Sequence, residues 1–203
     1  MESEKTKKFV FIGGDLSLNF TNTVGNFDSE KPSEHIHSFA DLAAWSEQSG
    51  LVSDGESKRL LNEAEQNPKK AKAVLARAVA LSESLHRIFS DVASDKKPKN
   101  KDLDILNEEL SEAMRQARIF IEEDDFVWDW TEAQLDVMLR RVARTAAELL
   151  TSDKIKRIRR CADDVCGWLF LDTSKNRSRR WCAMGDCGNL HKSRRFRAKE
   201  ILN

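Results

Sequence analysis

No apolar run in this chain of 203 residues approaches the roughly 18 to 20 residues that a membrane-spanning helix needs, which argues against a membrane protein. The opening MESEKTKK has no apolar stretch of signal-peptide length behind its charges. The expected location is therefore the cytoplasm, where thiols stay reduced. Glycine (8) and proline (3) are scarce and tyrosine is absent. With long mixtures of Ala, Leu, Glu, Lys and Arg in their place, a disordered or all-β chain is disfavoured and a mostly helical one expected. H-E-x-x-H, P-loop, G-x-G-x-x-G and nucleophile-elbow motifs are also missing, so no constellation supports an enzyme. The pair Gly13 and Gly14 is too short to imply a phosphate cradle. His35 and His37 lack a further ligand at a recognised spacing and read as a solvated loop. His86 reads as a boundary residue on a helix, and the acidic run from Glu122 to Asp125 as a solvated turn.

Net charge is absent too, with 34 basic and 34 acidic side chains, but the zero is a cancellation. Residues 154–203 hold 14 basic and 5 acidic side chains, which gives +9, and residues 1–153 hold 20 and 29, which gives −9. All four cysteines fall in the basic piece. Such asymmetry marks two differently built parts, expected as a helical domain over 1–153 and a small domain over 154–203.

The first part reads as a bundle. Phe9 to Ile12 is a short apolar run, and Asp15 is placed to cap a short helix in LSLNFTNTV, although Leu16, Leu18 and Phe20 also alternate as in a strand. Ser38 with Asp41 opens a helix carrying Leu42 and Trp45, with Gly50 placed to end it; Ser53 with Glu56 opens another. Asn67 followed by Pro68 starts a long helix, with Ala71, Val74, Leu75, Ala78, Leu81, Leu85, Ile88, Phe89 and Val92 on one stripe. Leu103, Leu106, Leu110, Met114 and Ala117 mark the next. EEDDFVWDW reads as a linker, after which Thr131 and Gln134 cap a helix with Leu135, Met138, Leu139, Val142, Ala146 and Leu149 inward. In the second part IKRIRRC and GWLFLDT suggest two short strands, and Asn189 to Leu202 a basic terminal helix. The expected fold class is mainly α, a bundle-like domain followed by a small α+β four-cysteine finger.

Cys161, Cys166, Cys182 and Cys187 follow C-x4-C-x15-C-x4-C. Two close pairs joined by a segment that folds back can deliver four sulfurs to one tetrahedron, which suits a structural zinc. Disulfides are disfavoured in a chain with no export signal; an iron–sulfur cluster and unliganded cysteines remain as alternatives. So few large apolar residues follow Lys154 that the small domain can hardly support a core of its own, and zinc would decide its folding. Four thiolates and one Zn2+ would lower that domain from +9 to about +7.

The stretch RIRRCADDVCGWLFLDTSKNRSRRWCAMGDCGNLHKSRRFRAKE resembles the bacterial CGNR zinc-finger family, with Leu190 in place of the arginine that ends the family's name. Upstream, LNFTNTV is similar to the N-terminal block of the ABATE domain, the helical partner usually joined to this finger. Asn22 and Thr23 match that block, whereas Asn19 stands where the family more often has Asp. The resemblance implies a stress-linked transcription regulator whose helical domain senses a small-molecule ligand. Asn22, Thr23 and Trp45 are the candidate ligand contacts; Trp128 and Trp130 could also line a pocket, although ordinary core packing is the favoured reading of all three tryptophans.

The cations themselves point to duplex DNA. Arg177, Arg179 and Arg180 lie between the cysteine pairs, and Lys192, Arg194, Arg195, Arg197 and Lys199 follow the last one. On a helix Lys192, Arg195 and Lys199 share a face, and arginine's planar fork suits phosphate and guanine. Other readings are an intramolecular pairing of the basic finger with the acidic helical domain, or an adaptor that binds RNA or an acidic protein surface. A homodimer is compatible with the sequence.

Overall fold

The computed structural model describes residues 9–130 and 134–194. Asp15 caps α1 (Leu16–Thr21), its carboxylate accepting from Ser17 N at 2.9 Å. A small hairpin follows, β1 (Val24–Gly25) with β2 (Ser33–Glu34). The capping boxes at Ser38 and Ser53 form as expected and open α2 (Phe39–Gln48) and α3 (Asp54–Gln66). Gly50, with φ +74°, takes the left-handed conformation that stops α2. Pro68 stands at the first position of the long α4 (Pro68–Ala93), where its missing N–H costs nothing. α5 (Asn100–Gln116) and α6 (Val137–Leu150) complete the bundle, with α1 packed against α4 and α6. Among the described residues no helix is long and apolar enough to cross a membrane.

Three expectations are corrected. The segment read as a linker is a hairpin, β3 (Ala117–Glu122) antiparallel to β4 (Asp125–Trp130), with the acidic run at its tip and Ala117 in the strand instead of the helix. On α5 the buried stripe is Asp102, Leu106, Glu109 and Ala113, while Met114 is exposed. The reason is electrostatic: Asp102 accepts from Arg87 at 2.8 Å, and Glu109 accepts both arms of Arg77 at 2.9 and 2.7 Å, so α5 turns its carboxylates to α4. A buried carboxylate is tolerable only when paired in this way. The same network reaches α6, where fully buried Arg140 bonds Asp136 at 2.7 Å and Gln134 at 2.8 Å. Asp136, not Gln134, occupies the N-cap position of α6; Thr131 lies outside the described residues.

The C-terminal part does not stand apart from the bundle. After a 3-10 turn (Asp153–Arg157), β5 (Ile158–Arg160) pairs antiparallel with β6 (Leu169–Leu171). All three residues of β6 are buried, yet alternation along a strand sends them two ways. Leu169 and Leu171 join Ile158 in the core of the bundle, whereas Phe170 packs on the cysteines. Burying each leucine contributes about 1.5–3 kcal/mol, so one three-residue strand ties the two cores together.

Candidate zinc centre and nucleic-acid interface

Local turns bring the four cysteines together. Cys161 follows β5, and its N–H donates to Trp168 O at 2.7 Å, closing the first loop. Cys166 N donates to Asp163 O at 3.3 Å. Cys182 N points at Cys161 Sγ from 3.5 Å, which links the second loop to the first. Cys187 sits in a single wide turn (Met184–Gly188) that leads into a helix over 189–194.

The sulfurs all lie within 4.8 Å of one another, with Cys166–Cys182 and Cys182–Cys187 both at 3.6 Å. Disulfides would require about 2.05 Å. Four sulfurs at about 2.3 Å from a common centre stand about 3.8 Å apart, so the spacing fits one tetrahedral zinc. Hydrogen bonds from the Cys166 and Cys182 thiols hold Cys161 down to about 2, while sharing with that thiolate pushes Cys166 up to about 12 and Cys182 higher still. Burial raises Cys187. Zinc would bind all four as thiolates, releasing their protons. Because protein fills all four positions, the zinc is structural and offers no place to an activated water.

Arg179 is spent on this centre. Its guanidinium donates to Cys182 O and, at 3.0 Å, to Trp181 O, and it lies 4.2 Å over the Phe170 ring. Its backbone N–H donates at 3.0 Å to Asp172, whose carboxylate also accepts from Ser174 N at 2.9 Å. Burial works to raise the Asp172 pKa, but the bonds from Ser174 and Arg179 outweigh it and hold the carboxyl below its ordinary value. Arg194 is also engaged, donating at 2.9 Å to buried Asp163. Lys175, Arg177, Arg180 and Lys192 are exposed, with Arg180 lying 5.2 Å over the Trp181 ring. Arg195, Arg197 and Lys199 lie outside the described residues.

The candidate ligand contacts do come together, around a cavity of about 100 Å³ lined by Asn22, Thr23, Trp45, His35, Phe9 and the finger's Trp168. The side-chain polar atoms of Asn22 and Thr23 are occupied, however. Asn22 is 3% exposed and clamps one residue of β6, with Nδ2 donating to Leu169 O at 2.8 Å and Oδ1 accepting from Leu169 N at 2.9 Å. Thr23 Oγ1 donates to Phe20 O, and Trp45 is buried against Phe20. Trp130 is buried with Nε1 donating to Ala113 O, and Trp128 lies beneath Arg144.

Sequence reasoning missed the seam between finger and bundle. Phe27 N donates to Cys166 O at 3.1 Å, Asp28 N to Val165 O at 3.2 Å, Leu171 N to Gly13 O at 2.8 Å, and Trp168 Nε1 to Val24 O at 2.7 Å. His86 is buried in this seam, not at a boundary: Nε2 donates to Gly167 O at 2.9 Å and the ring stacks on Phe27 at 3.4 Å. Burial, reinforced by Arg160, holds its pKa down to about 4 despite the Gly167 bond, so the ring is neutral. Gly167 has φ +67°, and a Cβ there would lie 2.7 Å from that of Phe27. A side chain would separate the seam. The one available signal was the glycine beside Cys166 in CGW.

Comparison with known families finds two family models in succession along the chain. The ABATE model, described as "putative stress-induced transcription regulator", matches residues 14–153, and the model of the CGNR zinc finger matches residues 157–200. No curated protein matches the chain.

Proposed function

The chain belongs to the ABATE family and ends in a CGNR zinc finger, and from that membership we propose that it is a cytoplasmic, stress-linked transcription regulator that binds duplex DNA through the finger. The observation that carries the reading is how the charges are used. Among the described residues a single ion pair, Arg160 with Asp28, crosses from finger to bundle. Among the described residues, Lys175, Arg177, Arg180 and Lys192 of the basic end face solvent, where phosphates can meet them. Zinc fixes the loops that carry these cations and takes no part in chemistry; the role is regulatory, not enzymatic.

Sensing would act through the seam. A small molecule in the cavity beside Asn22, Thr23 and Trp45 would also touch Trp168 of the finger. Such a ligand alters DNA binding only if it prefers one arrangement of the finger over another.

Fluorescence anisotropy with a random duplex at two salt concentrations tests the DNA reading. A log–log slope of about −3 to −6 is expected for a few neutralised phosphates, and no binding at low ionic strength refutes it. Selection from a random pool, with the intact protein beside Cys182→Ser, separates a sequence reader from an adaptor. Enrichment of one motif by the intact protein alone identifies a zinc-dependent reader, whereas no enrichment favours an adaptor for RNA or an acidic protein surface.

A further inference from the structure

Two cation-rich segments, far apart in the chain, meet beside the seam. Residues 94–101, between α4 and α5, hold four lysines against one aspartate, and residues 153–160 hold two lysines and three arginines against one aspartate. At the end of α4 Asp95 takes the left-handed conformation, with φ +54°, and Lys96 N donates back to Asp91 O at 2.8 Å, which fixes the turn. Here α4 packs on both the 3-10 turn and β5. A cleft of about 510 Å³ lies between them, lined by Val92, Asp95 and Lys96 on one side and by Ile155, Lys156 and Arg159 on the other. Asp95 is the single carboxylate among its three cations. Lys96, Lys97, Lys99, Lys101, Lys154 and Lys156 are all exposed, and among the described residues none of them is in an ion pair.

This corner adjoins the finger's solvent-facing cations. Pairing between β5 and β6 continues past the strand ends, where Asp172 N donates to Arg157 O at 2.8 Å and Arg157 Nη1 to Asp172 O at 3.1 Å. Lys156 therefore stands beside the start of the loop over 172–179, whose Lys175 and Arg177 are exposed. Arg159 lies between cleft and loop: its guanidinium folds back on the Lys156 and Ile158 carbonyls at 3.1 and 2.8 Å, and its charge helps to hold the Asp172 carboxyl ionised. None of the exposed large apolar side chains falls on either segment, so the corner offers nothing to insert into a membrane. Unpaired cations continuous with those of the finger suit the closely spaced phosphates of a duplex. We propose, on the premise that the finger binds duplex DNA, that Lys96, Lys97, Lys154, Lys156 and Arg159 form a second phosphate-binding surface, so that bundle and finger contact one duplex together. Lysines there act as point charges on the backbone; they add affinity and carry no base information.

Fluorescence anisotropy with a random duplex, on the full zinc-loaded chain, tests the second surface through paired variants. Lys96→Gln with Lys97→Gln, and Lys154→Gln with Lys156→Gln, should each weaken binding by on the order of 10-fold at about 0.1 M salt and reduce the log–log slope by about 1 to 2. Circular dichroism and melting should be unchanged, since all four side chains are exposed. Lys69→Gln with Lys72→Gln removes the same charge from exposed positions at the opposite end of α4, roughly 30 Å away and beyond the screening length. That control should bind as the parent does. If the parent binds and Arg177→Ala lowers the slope while either corner variant keeps it, the second surface is refuted and the finger's role stands. An equal loss in the Lys69 and Lys72 control also refutes it, because the effect is then one of net charge. A parent that binds no duplex at low ionic strength removes the finger's role and the second surface with it.

Discussion

Asn22 gives the sharpest test of how the finger is held. Its amide makes two bonds to the backbone of Leu169, both buried. Replacing it with Ala leaves the Leu169 N–H and C=O inside the seam without partners, and an unsatisfied buried group costs about 1–3 kcal/mol. Two such groups, less partial relaxation, give an expected loss of about 2–4 kcal/mol. For a chain of this size that corresponds to a fall in Tm of roughly 5–15 °C. Asn22→Asp should be at least as damaging, because it keeps an acceptor for Leu169 N but sets a carboxylate against Leu169 O. Urea unfolding followed by circular dichroism measures the loss. Hydrogen exchange should show it concentrated in residues 158–171, where β5 and β6 meet the bundle. If both variants unfold within about 0.5 kcal/mol of the parent, the value of an ordinary surface change, the clamp is not what secures the finger.

The histidine in the seam should make stability depend on pH. The folded pKa of His86 lies at about 4, below its ordinary 6.5; stability is therefore complete above 6.5 and falls by up to about 3 kcal/mol as pH drops from 6.5 to 4. His86→Gln, which keeps a donor for Gly167 O, should flatten that limb of a pH–stability curve. Chelation of the zinc should make four thiols reactive and unfold the finger, measured by thiol titration and near-ultraviolet circular dichroism, with metal affinity falling at low pH as the thiolates regain protons. The finger's cations should divide by role. Arg177→Ala and Lys192→Ala should each reduce the salt slope of DNA binding by about 1 without changing stability, whereas Arg179→Ala should destabilise the finger and weaken zinc retention.

What the sequence disclosed is local. The capping boxes at Ser38 and Ser53, Pro68 at a helix start and the apolar stripe of α4 are short-range patterns that the structure repeats. The cysteines were legible because each pair is joined by a short loop, so spacing alone restricts where the sulfurs go. What stayed hidden depends on partners distant in the chain. Asn22 and Leu169 are 147 residues apart, and nothing near Asn22 reveals that its amide completes a strand. The hairpin β3–β4 was masked because ARIFIE and DFVWDW flank an acidic turn and mix charge with apolar residues, a pattern equally suited to a linker. On α5 the leucines suggested one buried face, but Arg77 and Arg87 on α4 select the neighbouring face that carries Glu109 and Asp102.

The opposite charges of the two parts invite the idea that attraction holds them together, and the seam shows otherwise. It is built from backbone and amide hydrogen bonds, the Phe27–His86 stack and the leucines of β6, with one crossing ion pair among the described residues. Such contacts are nearly indifferent to salt, whereas contacts of solvent-facing cations with phosphates are screened within about 10 Å at 0.1 M. Docking and the proposed DNA binding therefore rest on different physics. Raising the ionic strength should release nucleic acid while leaving the finger seated.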